Sequence, residues 1–265
     1  MGVYAMSEVR MHRDAEGRVR AAHPAAAYAF WHPFVQAFGS IEVVGRMAPE
    51  TGSDSGLYVD GPGVSVHDAP YYAGALSLPL GLLRIRSFFS GIGGPRDIFV
   101  LRVPEFVSLV GYARARRVRA ATIAFLVADP RQHAKAILPK PFGLILSVVL
   151  HHLSRAIMRH ADCSVYVSQS YLQASYPPGP AARVLARSNV VIDDEWLRGT
   201  RAGRDRSDRV LDVISVGTFE TRAKGFDLLI DAAAHLQSAG RQVRLTFVGD
   251  GRYRHFLQRR ASRRG

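Results

Sequence analysis

The stretch from Val210 to Gly251 limits the fold more than any other. It begins with the apolar run VLDVISVG, ends with VRLTFVGDG from Val243, and holds GFDLLIDAAAHLQSAG between them. Within that middle segment Phe226, Leu229, Ile230, Ala233 and Leu236 fall close to i, i+3, i+4, i+7, and Gly240 suits a C-terminal cap. A strand, an amphipathic helix and a second strand in this order make a βαβ unit, whose two strands run parallel.

The same alternation occupies the upstream chain. Short apolar runs occur near Ile41 (IEVVGRM), from Asp97 (DIFVLRV), from Ala121 (ATIAFLV), from Cys163 (CSVYVS) and around Arg183 to Val191 (ARVLARSNVV). They are mostly unalternating, as expected of strands covered by helices on both faces. Helical stretches ending at Phe38, Arg117 and His160 separate them. Residues 49–94 are rich in Gly, Pro and Ser and their elements are left open. RGTRAGRDRSDR, from Arg198 to Arg209, has no apolar residue larger than Ala and reads as a linker. The expected fold class is therefore α/β: two Rossmann-like, doubly wound parallel-sheet domains, residues 1–197 and 210–265, joined by linker 198–209, with the second domain incomplete.

Composition narrows the function classes. With 265 residues, 48% of them hydrophobic, the chain can bury one large core or two modest ones. The single Cys163 excludes an internal disulfide framework and a CxxC zinc site, and a reducing cytoplasm is the expected compartment. The N-terminal MGVYAMSEVRMHRDAEGRVR lacks the apolar core of a signal peptide. The most apolar run, Phe142 to Leu150, is about half the ~20 residues of a spanning helix, so no membrane crossing is expected. The net charge is +13, and only Lys135, Lys140 and Lys224 of the basic residues are lysines. Such an arginine excess serves nucleic acid, anionic lipid or phosphorylated substrates, or simply follows from coding bias.

Physical reasoning places an anion site in SVGTFETRAKGF. A strand ends at Gly217, a polar loop follows, and a helix begins near Gly225, so backbone amides and the positive helix end face one point. Lys224 adds a mobile charge, Thr218 a hydroxyl, and Gly217 room for close approach. FVGDG, with Gly249 and Gly251, repeats the arrangement at the edge of the next strand, which would be a neighbour in a parallel sheet. The plain alternative is a βα turn with a solvated lysine.

These residues resemble the GT-B glycosyltransferases of family 4, which are retaining and use nucleotide sugars. VGTFETRAKGFDLLIDAAAHL and LTFVGDG match that family's second-domain motifs in order and spacing, over about fifty residues. ADCSVYVSQSYLQASYP and SNVVID are similar to its last N-domain strand and helix and to its crossing into the second domain. The resemblance implies a GT-B fold and transfer of a hexosyl group from a nucleoside diphosphate sugar to a glycan or lipid-linked acceptor. The donor would be held mainly by the second domain, with Lys224 on its diphosphate. Relatives often place an arginine where this chain has Thr218; Arg222 would substitute. The resemblance implies surface polysaccharide synthesis and no cofactor beyond the donor substrate; the basic charge allows at most peripheral contact with the inner face of the membrane. No metal is expected, since the chain has no Asp-x-Asp triplet.

The family often has a histidine or acidic residue near the reacting sugar. The corresponding segment is FLVADPRQH, offering Asp129 as the catalytic candidate with Arg131 and His133 behind it. A helix-capping or turn aspartate before Pro130 is the alternative. Gly17 in DAEGRVR is read as a surface turn. His151, His152 and His160 are not joined by a carboxylate at ligand spacing, so they are expected at a helix surface rather than on a metal.

The family's paired glutamates and further strands are missing after Gly251, where only RYRHFLQRRASRRG remains. Sheet edges and an apolar face are therefore expected to lie uncovered. Three readings follow: the front of a full transferase, a chain completed by a partner, or a protein that binds without catalysing. A separate class stays open, a basic non-catalytic protein. Its arginines would serve nucleic acid, although no recognised nucleic-acid motif occurs, or PKPFGLILSVVLHHLSRAIMR would dock on an anionic membrane surface.

Overall fold

The computed structural model describes residues 1–51, 55–72, 74–137, 141–188, 210–220 and 222–264. The chain divides into two compact units, Met1–Ile192 and Asp193–Gly265. Linker 198–209 and the SNVVID crossing beyond Ser188 lie outside the described residues.

In the first unit the elements follow in the order β1 (Val3–Arg13), β2 (Val19–Ala21), α1 (Tyr28–Phe38), β3 (Ile41–Thr51), β4 (Leu57–Tyr58), β5 (Val64–Ala69), α2 (Gly74–Phe88), β6 (Ile98–Val103), α3 (Phe106–Val118), β7 (Ala121–Leu126), α4 (Pro130–Ile137), α5 (Phe142–His160), β8 (Cys163–Tyr166), α6 (Tyr171–Ser175) and β9 (Arg183–Ala186). The parallel strands lie side by side as β5-β3-β1-β6-β7-β8-β9. Numbering the parallel strands alone, the order is 3-2-1-4-5-6-7, that of a doubly wound sheet with its topological switch point between β1 and β6. β6, β7 and β8 are each followed, after a helical crossover, by their next parallel neighbour, whereas the β5–α2–β6 connection passes over β3 and β1 and so reverses the strand order.

Core packing explains why the strands read as apolar runs. In β1, Val3 and Ala5 pack with Trp31, Ile41 and Val43 on one face, while Met6 joins Leu101, Val107 and Met158 on the other. In β6, Val100 and Leu101 divide between the same two clusters. Both faces are apolar, so period-2 alternation disappears. The outer half of β1 behaves differently. Beyond Ala5 it loses β6 as a neighbour and folds into an antiparallel hairpin with β2, pairing Met11 with Ala21. Asp14 ties this turn by accepting the amides of Glu16 and Arg18, and Gly17 adopts φ 81°, as a surface turn requires.

The second unit contains β10 (Val210–Val216), a 3₁₀ turn at Arg222–Lys224, α7 (Phe226–Ser238), β11 (Gln242–Val248) and α8 (Arg254–Ser262). The strands pair parallel and without a break, from Val210↔Gln242 to Val216↔Val248. Gly240, at φ 79°, ends α7 in the left-handed conformation that favours glycine. Phe226, Ile230 and Leu257 pack from the helices onto Leu245 and Phe247 of the sheet. The opposite sheet face, with Ile214 and Val216, is open: these two side chains are 68% and 71% exposed.

Candidate functional site

The carboxyl edge of the β10–β11 sheet carries the residues singled out as donor-binding. Pairing of Val216 with Val248 sets Gly217 beside Gly249, joined by a hydrogen bond from Gly217 N to Val248 O at 3.0 Å. The two loops then interlock, Phe219 N donating to Asp250 O at 2.8 Å and Tyr253 N to Phe219 O at 3.0 Å. This close approach accounts for the glycines. A Cβ on Gly249 would stand 1.9 Å from Gly217 O, and one on Gly251 would stand 2.6 Å from the Phe219 carbonyl carbon. A Cβ on Gly217 would meet the Phe226 ring at 3.3 Å and the Lys224 stem at 3.9 Å. Thus Gly217, Lys224 and Gly249 come together, and the tightest constraint on the two glycines of the second loop is packing of one loop on the other.

The cations of the site differ in what holds them. Arg222 Nε donates to Asp227 Oδ2 at 2.9 Å, and its NH2 group makes a second, shorter bond to the same oxygen. Asp227 is buried in the first turn of α7. The Arg222 hydrogen bond is the main reason its carboxyl lies below the usual aspartate value, and the amides of Asp227 and Leu228 lower it further. The positive end of α7 is thereby met by an internal carboxylate. Arg222, read from sequence as a substitute anion contact, is instead largely engaged by Asp227. Lys224 is exposed, and among the described residues no hydrogen bond or ion pair engages it. Thr218 is exposed at the same edge.

In the first unit Asp129 lies between the end of β7 and α4. Its Oδ1 accepts from Arg131 N at 3.0 Å and from the Tyr176 hydroxyl at 2.9 Å, and its Oδ2 accepts from the Tyr171 hydroxyl at 2.9 Å. The first of these bonds is the turn-capping contact weighed from the sequence. Burial alone would raise the Asp129 carboxyl, but the amide and the two hydroxyls outweigh it and hold the group below the ordinary aspartate value. Tyr176 gives its only proton to Asp129, so the 3.1 Å contact from His151 Nδ1 must be a donation to the Tyr176 oxygen. His151 is buried, against the expectation of a surface position: it falls on the face of α5 with Leu150 and Ser154 that packs inward. Burial also lowers its pKa, which keeps the ring neutral in this chain of bonds. His152 and His160 are exposed as expected.

Sequence reasoning missed a second charged group, at the switch point itself. Glu8 on β1 accepts from Phe106 N at 2.6 Å and so caps α3 from the neighbouring strand; its other oxygen takes the Tyr72 hydroxyl. Glu105 returns the contact by accepting Glu8 N at 2.7 Å, and its second oxygen lies 3.5 Å from Arg102 Nε. Arg46 donates to the carbonyls of Glu8 and Tyr72. Burial pushes the Glu105 carboxyl up to about 7; Arg102 opposes the rise and Glu8 adds to it. The available signal was an acidic residue at the carboxyl end of each of two apolar runs. The β1 run was not recognised because SEVRMHR breaks its apolar pattern.

No family model matches the chain. Protein CapJ of Staphylococcus aureus is 26% identical over 117 residues, which span 44% of this chain and 28% of CapJ. Among solved structures, an α,α-trehalose-phosphate synthase (UDP-forming) from Burkholderia xenovorans, in complex with glucose-6-phosphate, shares 13% identity at a TM-score of 0.54. That match covers 100% of this chain and 70% of the synthase. A UDP-N-acetylglucosamine 2-epimerase is 12% identical at a TM-score of 0.46, covering 100% of this chain and 66% of the epimerase. The fold is the Rossmann-like α/β fold of GT-B enzymes.

Proposed function

We propose that this chain handles the donor in a glycosyltransferase that moves a sugar from a nucleoside diphosphate sugar to a glycan or lipid-linked acceptor. One observation carries the reading: Lys224, without an ion pair or hydrogen bond among the described residues, stands beside Gly217 and Thr218 at the carboxyl edge of two parallel strands, where open α/β sheets bind phosphates. Fold-level likeness to a UDP-forming synthase supports it by analogy. Lys224 takes the charge that develops on the departing diphosphate, and the Thr218 hydroxyl adds a donor. The absence of an Asp-x-Asp triplet supports transfer without a resident metal. Asp129, a fixed anion with a lowered pKa, suits stabilisation of developing positive charge on a sugar better than proton abstraction. Family 4 membership, retention of configuration, a role in surface polysaccharide synthesis and a cytoplasmic location belong to the same proposal.

The test is incubation of the full chain with a panel of nucleoside diphosphate sugars and a bacterial lipid and glycan extract, in the presence of EDTA. The reading expects release of the nucleoside diphosphate and a product that keeps the donor's anomeric configuration, seen by NMR. An inverted product contradicts retention. Turnover abolished by EDTA contradicts the metal-free mechanism.

A further inference from the structure

We propose that the outer face of α5, with the adjoining edge of α2, docks on an anionic lipid surface. The inner side of α5 is spent on the unit's core, where Leu150, Ile157 and Met158 are buried. The outer side is apolar as well. Phe142, Ile145 and Val148 are 64%, 60% and 51% exposed, which is far outside the pattern of a helix that turns polar residues to water. Leu82 of α2 and Leu146 of α5 both pack against the buried cluster of Phe106, Ala134 and Leu150, and Leu80 and Leu83 of α2 are exposed as well. At 19 residues α5 is long enough to span a bilayer, but its inner side is committed to the sheet, which fits a helix lying in the interface instead.

Charge selects the occupant. No acidic residue occurs from Pro130 to Ala161 or from Pro70 to Arg96. Arg155 and Arg159 follow the apolar stretch on the outer side of α5, and Arg84 and Arg86 are exposed on α2. Among the described residues none of these four is ion-paired. An apolar strip about 16 Å long, ending in basic residues at 1.5 Å rise per residue, matches the acyl boundary and headgroup phosphates of a bilayer. An acidic protein surface would satisfy the arginines but leave the apolar strip without a partner of matching breadth. The surface lies in the first unit and goes beyond the donor reading, so a vesicle assay without nucleotide succeeds or fails independently of it.

The experiment is co-sedimentation of the full chain with vesicles of phosphatidylcholine alone and with vesicles containing one third phosphatidylglycerol. The chain is expected to bind the anionic vesicles at least about tenfold more strongly, and less so as salt rises. I145E/V149E, both at exposed positions, should lose binding while keeping the wild-type circular dichroism and melting transition. R155E/R159E should lose the preference for anionic lipid. Equal binding of wild type and I145E/V149E overturns the proposal. So does an absence of vesicle binding together with a dimer, seen by sedimentation velocity, that I145E/V149E dissociates, since the occupant is then a second copy.

Discussion

The carbonyl oxygen of Gly217 and the α-carbon of Gly249 are so close that any side chain at position 249 would collide with it, a Cβ lying 1.9 Å away. The neighbour is backbone, at the ends of two strands in continuous register, and cannot move aside cheaply. Gly249→Ala is therefore expected to destabilise the second unit by about 3 kcal/mol. Gly240→Ala, at φ 79° but facing open space, should cost only about 1 kcal/mol. Hydrogen exchange at the β10 and β11 amides reads this unit separately; equal protection in the two variants would contradict the packing account.

The hydroxyl of Tyr176 links Asp129 to His151, so Tyr176→Phe strips the buried Nδ1–H of His151 of its acceptor. A loss of about 2 kcal/mol is expected in urea unfolding. Tyr171→Phe removes an exposed hydroxyl bound to the same carboxylate and should change stability little. Asp129→Asn should leave the fold intact and lower transfer about a hundredfold if its charge acts on the sugar. Its stability term also has a defined sign. The folded pKa lies below the unfolded value of 3.8, so the contribution is present above that pH and is lost as pH falls through the folded value. Wild type and Asp129→Asn should differ in pH dependence only in that acid window.

Glu105 works in the opposite direction. Its folded pKa is about 7 against 4.5 in the unfolded chain, so the folded state binds more protons between these values. Stability from this group is greatest at the acid end, declines as pH rises through the window, and is level above about 7. The slope approaches about 1.4 kcal/mol per pH unit for one proton. Arg102 and Arg46 temper it and Glu8 reinforces it. His151, with a lowered pKa, gives the contrary slope below 6.5. Glu105→Gln should therefore make the protein lose more stability than wild type on acidification from pH 7 to 5, measured by urea midpoints; identical profiles would refute the buried, protonatable state.

The elements legible in the sequence are those whose pattern has one cause. The βαβ unit from Val210 to Val248 follows from an apolar helix face at Phe226 and Ile230 between two apolar runs. β3, β6, β7 and β8 follow from burial on both faces. β1 escaped because its role changes midway: Val3 to Met6 are central strand, while Met11 to Arg13 belong to a hairpin that buries Met11 but leaves His12 and Arg13 partly in water. α2 lay in a segment rich in Gly and Pro, with Pro79 inside it. In the candidate site the sequence located Lys224, Gly217 and Gly249 at one edge. It could not tell that Arg222 is held by Asp227, because that contact depends on the 3₁₀ turn at Arg222–Lys224. The Glu8–Glu105 pair joins residues far apart in the chain, and only the sheet order brings them together.

The engagement of Arg222 by Asp227, and the lack of a partner for Lys224 among the described residues, give the most direct test of the donor site. Titration calorimetry of the full chain with a nucleoside diphosphate, UDP first and then the other bases, should show binding that persists in EDTA. Lys224→Ala should weaken it tenfold or more, about the value of one charge-assisted contact, whereas Arg222→Ala should lower stability more than affinity. Binding left unchanged by Lys224→Ala, or no binding of any nucleoside diphosphate, would contradict the account.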